Sequence, residues 1–217
     1  MIPAAAYVEL DINALRHNVG RVKELAPKSK IIAVIKANAY GHGLELVASN
    51  LAAQVDAFAV ARIDEALCLR AANIQGRILV LQGFSGPDEL LLMQHNQLET
   101  VIHSEQQVDL LETEKLPAGL PVWIKIDTGM NRLGFRPEQF SDVLQRLLQC
   151  RNVQAEINFM THFANADDLQ DDKTTRQLQL FNATTKGCGG LRSSANSAAI
   201  IAWPATHQDW VRPGLIL

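Results

Sequence analysis

The sequence predicts an α/β fold, a (β/α)8 barrel of the TIM type, on three observations. Short apolar runs alternate with segments of helical periodicity from one end of the chain to the other. Eight such runs can be placed, and they begin roughly 20 to 35 residues apart, the unit length of a barrel of about 250 residues. Polar residues stand where the runs stop, at the carboxyl ends of the strands, where a barrel carries its active site. An open doubly wound sheet would also alternate strand and helix, but eight strands of near-uniform spacing favour closure.

Met1 to Leu10 reads as a short strand-like segment. Asp11 to Ala26 follows as an amphipathic helix with Ile12, Leu15, Val19, Val22 and Leu25 at helical spacing, ended by Pro27. The strands fall at Ile31 to Ile35, Ala57 to Ala61, Ile78 to Leu81, Thr100 to His103, Val122 to Ile126, Ile157 to Thr161, Leu191 to Ser194 and Trp210 to Leu217. Helices between them fall at Leu44 to Ala53, Asp64 to Ala72, Pro87 to His95, Glu105 to Glu112, Pro137 to Cys150, Lys173 to Thr185 and Ser197 to Trp203. Pro87 with Asp88 and Glu89 marks a helix start, and Ser104 with Gln107 forms a possible capping box. Residues 1 to 217 read as one barrel domain without a linker. Because Leu217 lies inside the apolar run Leu215-Ile216-Leu217, the chain is expected to stop within its eighth strand.

The composition narrows the function classes. With 20 basic and 23 acidic residues the net charge is -3, which leaves no electrostatic footprint for nucleic acid or an anionic membrane. No apolar stretch approaches the roughly 18 to 20 residues of a membrane span, and no basic region followed by an apolar segment opens the chain, so it reads as cytoplasmic. Cys68, Cys150 and Cys188 are odd in number and far apart, fitting neither a disulfide framework nor a zinc site.

The first strand carries the chemistry. In KIIAVIKANAYGHG, residues 30 to 43, the buried-strand pattern ends on Lys36 and passes into a turn of small and polar residues. Lys36 is either a lysine snorkelling from a strand end or a nucleophile towards an aldehyde. Arg132 follows the fifth strand, His162 ends the sixth, Asn196 and Ser197 follow the seventh, and Arg212 lies early in the eighth. Gly189 to Ser197 and Gly214 flank the last two strands, where barrels often bind phosphate. Ser197 either caps the helix that follows or gives its hydroxyl to a phosphate oxygen, or both. Lys125, in VWIKID, alternates inward among apolar neighbours. An uncompensated ammonium there is costly, so it calls for carbamylation or a partner such as Asp127.

AVIKANAYGHG closely resembles the cofactor-attachment motif of alanine racemases. The resemblance extends through DTGMNRLG at 127 to 134, THFA at 161 to 164, ANSA at 195 to 198 and VRPG at 211 to 214, in that family's order and spacing. It implies a racemase that interconverts L- and D-alanine and supplies D-alanine for peptidoglycan, with pyridoxal 5'-phosphate on Lys36 as a Schiff base. Lys36 then also serves as one of two acid/base residues. Tyr40, Asn196, Ser197, Gly214 and Leu215 are implied at the phosphate end and His162 beside the pyridine ring. Arg212 is implied at the ring nitrogen, where a donor that keeps its proton leaves that nitrogen an acceptor. Arg132 is implied at the phenolic oxygen or substrate carboxylate, held by a carbamylated Lys125. In that family a second, mainly β domain follows, and the resemblance runs up to the last residue here, which implies the amino-terminal part of a longer protein. The family's protein is a homodimer, and the second acid/base residue is a partner's tyrosine. Tyr7 and Tyr40 do not match it, so the chain by itself is expected to hold cofactor better than it racemises. No metal is implied. Competing readings are a single-domain carrier of the same cofactor, a serine or broad-specificity racemase, and a metal-dependent hydrolase built on His42, His103, Asp127 and His162.

Overall fold

The structure is a computed structural model that describes residues 9–217. Eight parallel strands close into a barrel in sequence order: β1 (Lys30–Val34), β2 (Ala57–Val60), β3 (Arg77–Val80), β4 (Glu99–Ile102), β5 (Leu120–Lys125), β6 (Val153–Met160), β7 (Arg192–Ser193) and β8 (Trp210–Val211). Lys30 opposite Trp210 and Ile31 opposite Val211 complete the ring. The barrel expected from the spacing of the apolar runs is therefore the one observed.

Helix α1 (Ile12–Leu25) precedes the barrel. The Asp11 carboxylate accepts the N–H groups of Asn13 and Ala14 at its start, and Leu15, Val19 and Val22 are buried beneath it. A short element α2 (Lys36–Tyr40) leaves β1. The outer layer continues with α3 (Leu44–Leu51), α4 (Ile63–Ala71), α5 (Pro87–His95), α6 (Glu105–Thr113), α7 (Phe140–Gln149), α8 (Lys173–Thr184) and α9 (Ser197–Ala202). Among the described residues no helix is long and apolar enough to cross a membrane.

Strand pleating sorts side chains into two cores. Ile32, Val34, Ala57, Ala59, Leu79, Val101, Trp123, Met160 and Trp210 fill the barrel, while neighbours such as Ile31, Ala33, Phe58, Val60, Ile78 and Val80 face the helices. Both faces are apolar, so the strands read as continuous apolar runs. Trp123 and Trp210 meet edge to face, with centroids 6.3 Å apart at 83°. Buried Glu99 accepts the Trp123 indole N–H at 2.9 Å and pairs with both arms of Arg77, whose guanidinium lies 4.7 Å over the Trp210 ring. Large rings and a paired carboxylate thus plug the amino-terminal end of the interior.

Several expected features differ. β8 ends at Val211 and not at Leu217, so the chain does not stop within a strand. Pro213 has no N–H with which to continue the ladder, and the apolar run beyond it lies in a turn, with the Leu217 N–H donating to Gly214 O and Leu215 82% exposed. Arg212 accordingly follows the eighth strand. β6 begins four residues before Ile157, and a register irregularity between Leu120 and Val122 accommodates its extension. Residues 137 to 150 divide into a 3-10 turn (Pro137–Gln139) and α7. Ser104 and Gln107 form no capping box. The Gln107 side chain accepts the His103 N–H at 2.9 Å and donates to Gln82 O and Phe84 O, satisfying carbonyls of the adjoining turn. The segment Met1 to Leu10 lies outside the described residues except for Glu9 and Leu10, which are in no regular element.

Candidate active site

A two-residue step along the strands assembles the site. Val34, Trp123, Met160 and Trp210 belong to the barrel interior, and strand side chains repeat direction every second residue. Lys36, Lys125, His162 and Arg212 stand one step further towards the carboxyl ends. All four line one cavity of about 590 Å³, with Tyr40, Arg132, Asn196, Ser197, Gly214 and Leu215 on its wall. Every residue that the racemase resemblance implies for the site is therefore brought to the same opening.

Lys36 enters it from an unusual turn. Ala37, Asn38, Ala39 and Tyr40 have φ between 53° and 55°, a run of left-handed residues without glycine, which costs roughly 1–2 kcal/mol per residue. Gly41 and Gly43, at φ of 93° and 95°, carry the chain out, and the Asn38 side chain accepts the Leu44 N–H at 2.8 Å. The turn swings Tyr40 across the cavity to Gly214. A Cβ at position 214 would lie 2.5 Å from the Tyr40 hydroxyl oxygen, so only glycine permits this approach.

DTGMNRLG closes on itself. Asp127 accepts three N–H groups, from Gly129, Met130 and Asn131, at 2.9 to 3.0 Å. The Phe135 N–H donates to Lys125 O and the Asp127 N–H to Phe135 O. Gly134 sits where a Cβ would be 2.9 Å from the Asp127 nitrogen. The loop carries Arg132 to the cavity, while Asp127 is engaged with backbone and is not in an ion pair with Lys125.

At the opposite wall Asn196, and not Ser197, caps α9 by accepting the Ala199 N–H at 3.0 Å. This frees Ser197, whose Oγ accepts N–H groups from Gly214 at 3.0 Å and Ile216 at 3.3 Å. Both lone pairs are thereby used, and its own O–H has no acceptor among the described residues.

Arg212 is buried and donates to Ser193 Oγ at 2.6 Å and to the carbonyls of Thr161 and Ser194. It is not the surface ion pair that a lone strand arginine suggests. Burial brings its pKa down to about 10, which leaves it charged at neutral pH. Burial, then the charges of Arg212 and Arg132, push Lys125 down to about 8, against a weaker pull from Asp127. Burial, then Arg212, Lys125, Arg132 and Lys36, push His162 down to about 3, so its imidazole is neutral. Burial also raises the Tyr40 phenol. Among the described residues none of Lys36, Lys125, Arg132 and Arg212 forms an ion pair with a carboxylate.

These shifts set a pH dependence of stability. Between pH 6.5 and about 3 the unfolded chain holds a proton on His162 that the folded chain does not. Stability is therefore complete with respect to this group above pH 6.5 and falls as the pH drops through that window, by up to about 5 kcal/mol. Lys125 acts in the alkaline range: between about 8 and 10.5 the unfolded chain again holds the extra proton, so stability rises with pH by about 3 kcal/mol. Urea unfolding of the chain and of His162→Gln across the acid range should diverge as the pH falls. Parallel curves would refute the assignment.

Gln82 and Asp167 also line the cavity, and the motifs did not single them out. Asp167 stands in the loop after β6, so its place at a barrel strand's carboxyl end was the available signal. The residues of the hydrolase reading do not converge. His42 bonds to Ala39 O, His103 to Gln82 O, Asp127 to its own loop, and only His162 lines the cavity. Among the described residues no group of three or more His, Cys, Asp or Glu side chains could hold a metal ion.

Comparison with known proteins agrees with this geometry. The family described as "Alanine racemase, N-terminal domain" matches residues 10–217. Alanine racemase of Vibrio cholerae is 49% identical over 217 residues, covering 100% of this chain and 59% of that protein. The biosynthetic alanine racemase of Escherichia coli is 49% identical over 213 residues, covering 98% and 59%. The crystal structure of biosynthetic alanine racemase from Pseudomonas aeruginosa superposes with a TM-score of 0.91 at 40% identity, covering 95% of this chain and 57% of that one. The chain thus spans just under three fifths of the length of these relatives.

Proposed function

The chain belongs to the alanine racemase family through that family's N-terminal domain, and on that premise we propose that it is the cofactor-binding barrel of an enzyme that interconverts L- and D-alanine with pyridoxal 5'-phosphate. The observation that carries the proposal is the convergence of Lys36 with Lys125, Arg132 and Arg212 on one cavity, where among the described residues no carboxylate forms an ion pair with them. Four unpaired cations suit an anionic ligand, and one of them is a primary amine suited to an aldehyde.

The wall opposite fits a phosphate. Ser197 has an O–H with no acceptor among the described residues, the Gly214 and Ile216 N–H groups converge on it, and Tyr40 reaches the same place through the gap that Gly214 leaves. Pyridoxal phosphate supplies an aldehyde that joins to an amine and a ring that takes up the electron pair left when the Cα–H bond of alanine breaks. Lys36 would anchor the aldehyde and exchange the proton at Cα on one face. His162, neutral near pH 7, would stand beside the ring without competing for protons. Arg212 would hold the ring nitrogen while keeping its own proton, and Arg132 would hold the phenolic oxygen or substrate carboxylate. Lys125, buried and partly neutral near its lowered pKa, suits carbamylation, which would give Arg132 an anionic partner.

In this reading residues 1 to 217 are the cofactor-binding domain of a cytoplasmic homodimer, in which a partner subunit's tyrosine serves the other face and the product supplies D-alanine for peptidoglycan. Alanine is favoured over serine because the matched relatives are named for alanine. The test compares pyridoxal phosphate with pyridoxal by absorbance titration. Losing the phosphate should weaken binding about 100-fold or more, given the charge-assisted bonds at stake. Equal affinity for the two would count against the phosphate wall.

A further inference from the structure

The left-handed turn that carries Lys36 is held from outside the cavity. β1 ends at Val34, and the Ile35 N–H, bonded to Ala59 O, is the last rung between β1 and β2. The Ala37 N–H, next to Lys36, leaves the ladder and meets the side chain of Glu65 on α4, with Oε1 at 2.5 Å. The other oxygen of the same carboxylate accepts the Ala61 N–H at 2.8 Å and the Arg62 N–H at 3.2 Å. One half-buried carboxylate therefore joins the exits of two adjacent strands, and both exits border the site through Lys36 and Ala61.

Helix capping accounts for only part of this. Glu65 is the third residue of α4, where a glutamate often reaches back to the N–H of the residue before the helix. That explains the bond to Arg62. It does not explain the bond to Ala37, which is 28 residues away and belongs to another unit of the barrel. Four consecutive left-handed residues lie on a path that L-amino acids resist, so such a turn persists only where its surroundings hold it. A carboxylate, with two acceptor oxygens and no donor, suits three N–H groups arriving from two directions.

We propose that Glu65 is a positioning residue for Lys36, fixing through the Ala37 N–H the turn that aims the lysine amine into the cavity. This rests on the reading of Lys36 as the amine that anchors pyridoxal phosphate. Glu65→Gln keeps the shape but turns one acceptor into an NH2 donor, so it cannot serve both Ala37 and Ala61.

The test is a double-mutant cycle on the full chain, with pyridoxal phosphate affinity measured for the unaltered protein, E65Q, K36A and the double variant. E65Q should weaken affinity about 10-fold or more in the presence of Lys36 and change nothing in the K36A background, where no amine remains to be aimed. Pyridoxamine phosphate, which has no aldehyde, should bind E65Q and the unaltered chain equally. Equal losses in both backgrounds would show that Glu65 merely supports the fold and would overturn the proposal, as would no loss in either. Failure of the unaltered chain to bind pyridoxal phosphate would instead remove the cofactor reading, and the role of Glu65 with it. Should E65Q fail to fold, E65D, whose shorter side chain cannot span Ala37 and Ala61 together, takes its place in the same cycle.

Discussion

On the roles proposed for Lys36, as covalent anchor and acid/base group, Lys36→Ala should lower alanine racemisation by the proposed enzyme about 10³-fold or more. The fold should be unaffected. Lys36 is partly exposed and makes no ion pair among the described residues, so truncation removes nothing on which the barrel depends. The other amine in the cavity cannot substitute. Lys125 rises from β5, across the barrel from the strand end that presents Lys36, even though burial and neighbouring charges lower its pKa to about 8. The loss should also be lopsided. A group on one face exchanges the Cα hydrogen of one enantiomer, so solvent deuterium incorporation into the two alanines should fall unequally in K36A. An equal, small fall for both would remove Lys36 from the proton-transfer role.

The barrel was legible because parallel strands buried on both faces leave continuous apolar runs, and the site because strand period two repeats a polar residue one step beyond an interior apolar one. Val34 to Lys36, Trp123 to Lys125, Met160 to His162 and Trp210 to Arg212 are four instances of that rule. What escaped the reading depends on geometry that composition does not encode. Leu215 to Leu217 is apolar enough for a strand, yet Pro213 ends the ladder before it. Asn196 and Ser197 are both good caps, and only their register on α9 decides which is released to meet the Gly214 and Ile216 N–H groups. The left-handed path of Ala37 to Tyr40 has no local signature, since alanine and tyrosine ordinarily avoid it. It is imposed by glycines further along and by contacts such as those of Asn38 and Glu65, which are distant or polar and leave no periodic trace.

Arg212→Met should separate the electrostatics of the site from the stability of the barrel. The substitution takes the Arg212 donor from the carbonyls of Thr161 and Ser194, a loss of about 1–3 kcal/mol for each left wholly unpaired, while Ser193 Oγ keeps its bond to Trp210 O. Against this, it removes a buried cation that has no carboxylate partner among the described residues. The fall of the guanidinium pKa to about 10 shows the strain of burying that charge, worth roughly 3 kcal/mol. The two effects oppose each other, so the melting temperature should move little. The neighbours should move more. After burial, Arg212 is the foremost cause of the depressed pKa values of both His162 and Lys125, so both should rise in R212M. An NMR titration of His162 reads this directly, and the acid-side stability loss should become smaller, because it still begins near pH 6.5 but ends at the raised folded-state pKa. Racemisation should fall about 10²-fold, the usual cost of removing one fixed donor from a water-poor site, while Arg212→Lys, which keeps the charge but not the planar fork, should lie between R212M and the unaltered protein. An unmoved His162 together with full activity would mean that Arg212 serves the barrel wall alone.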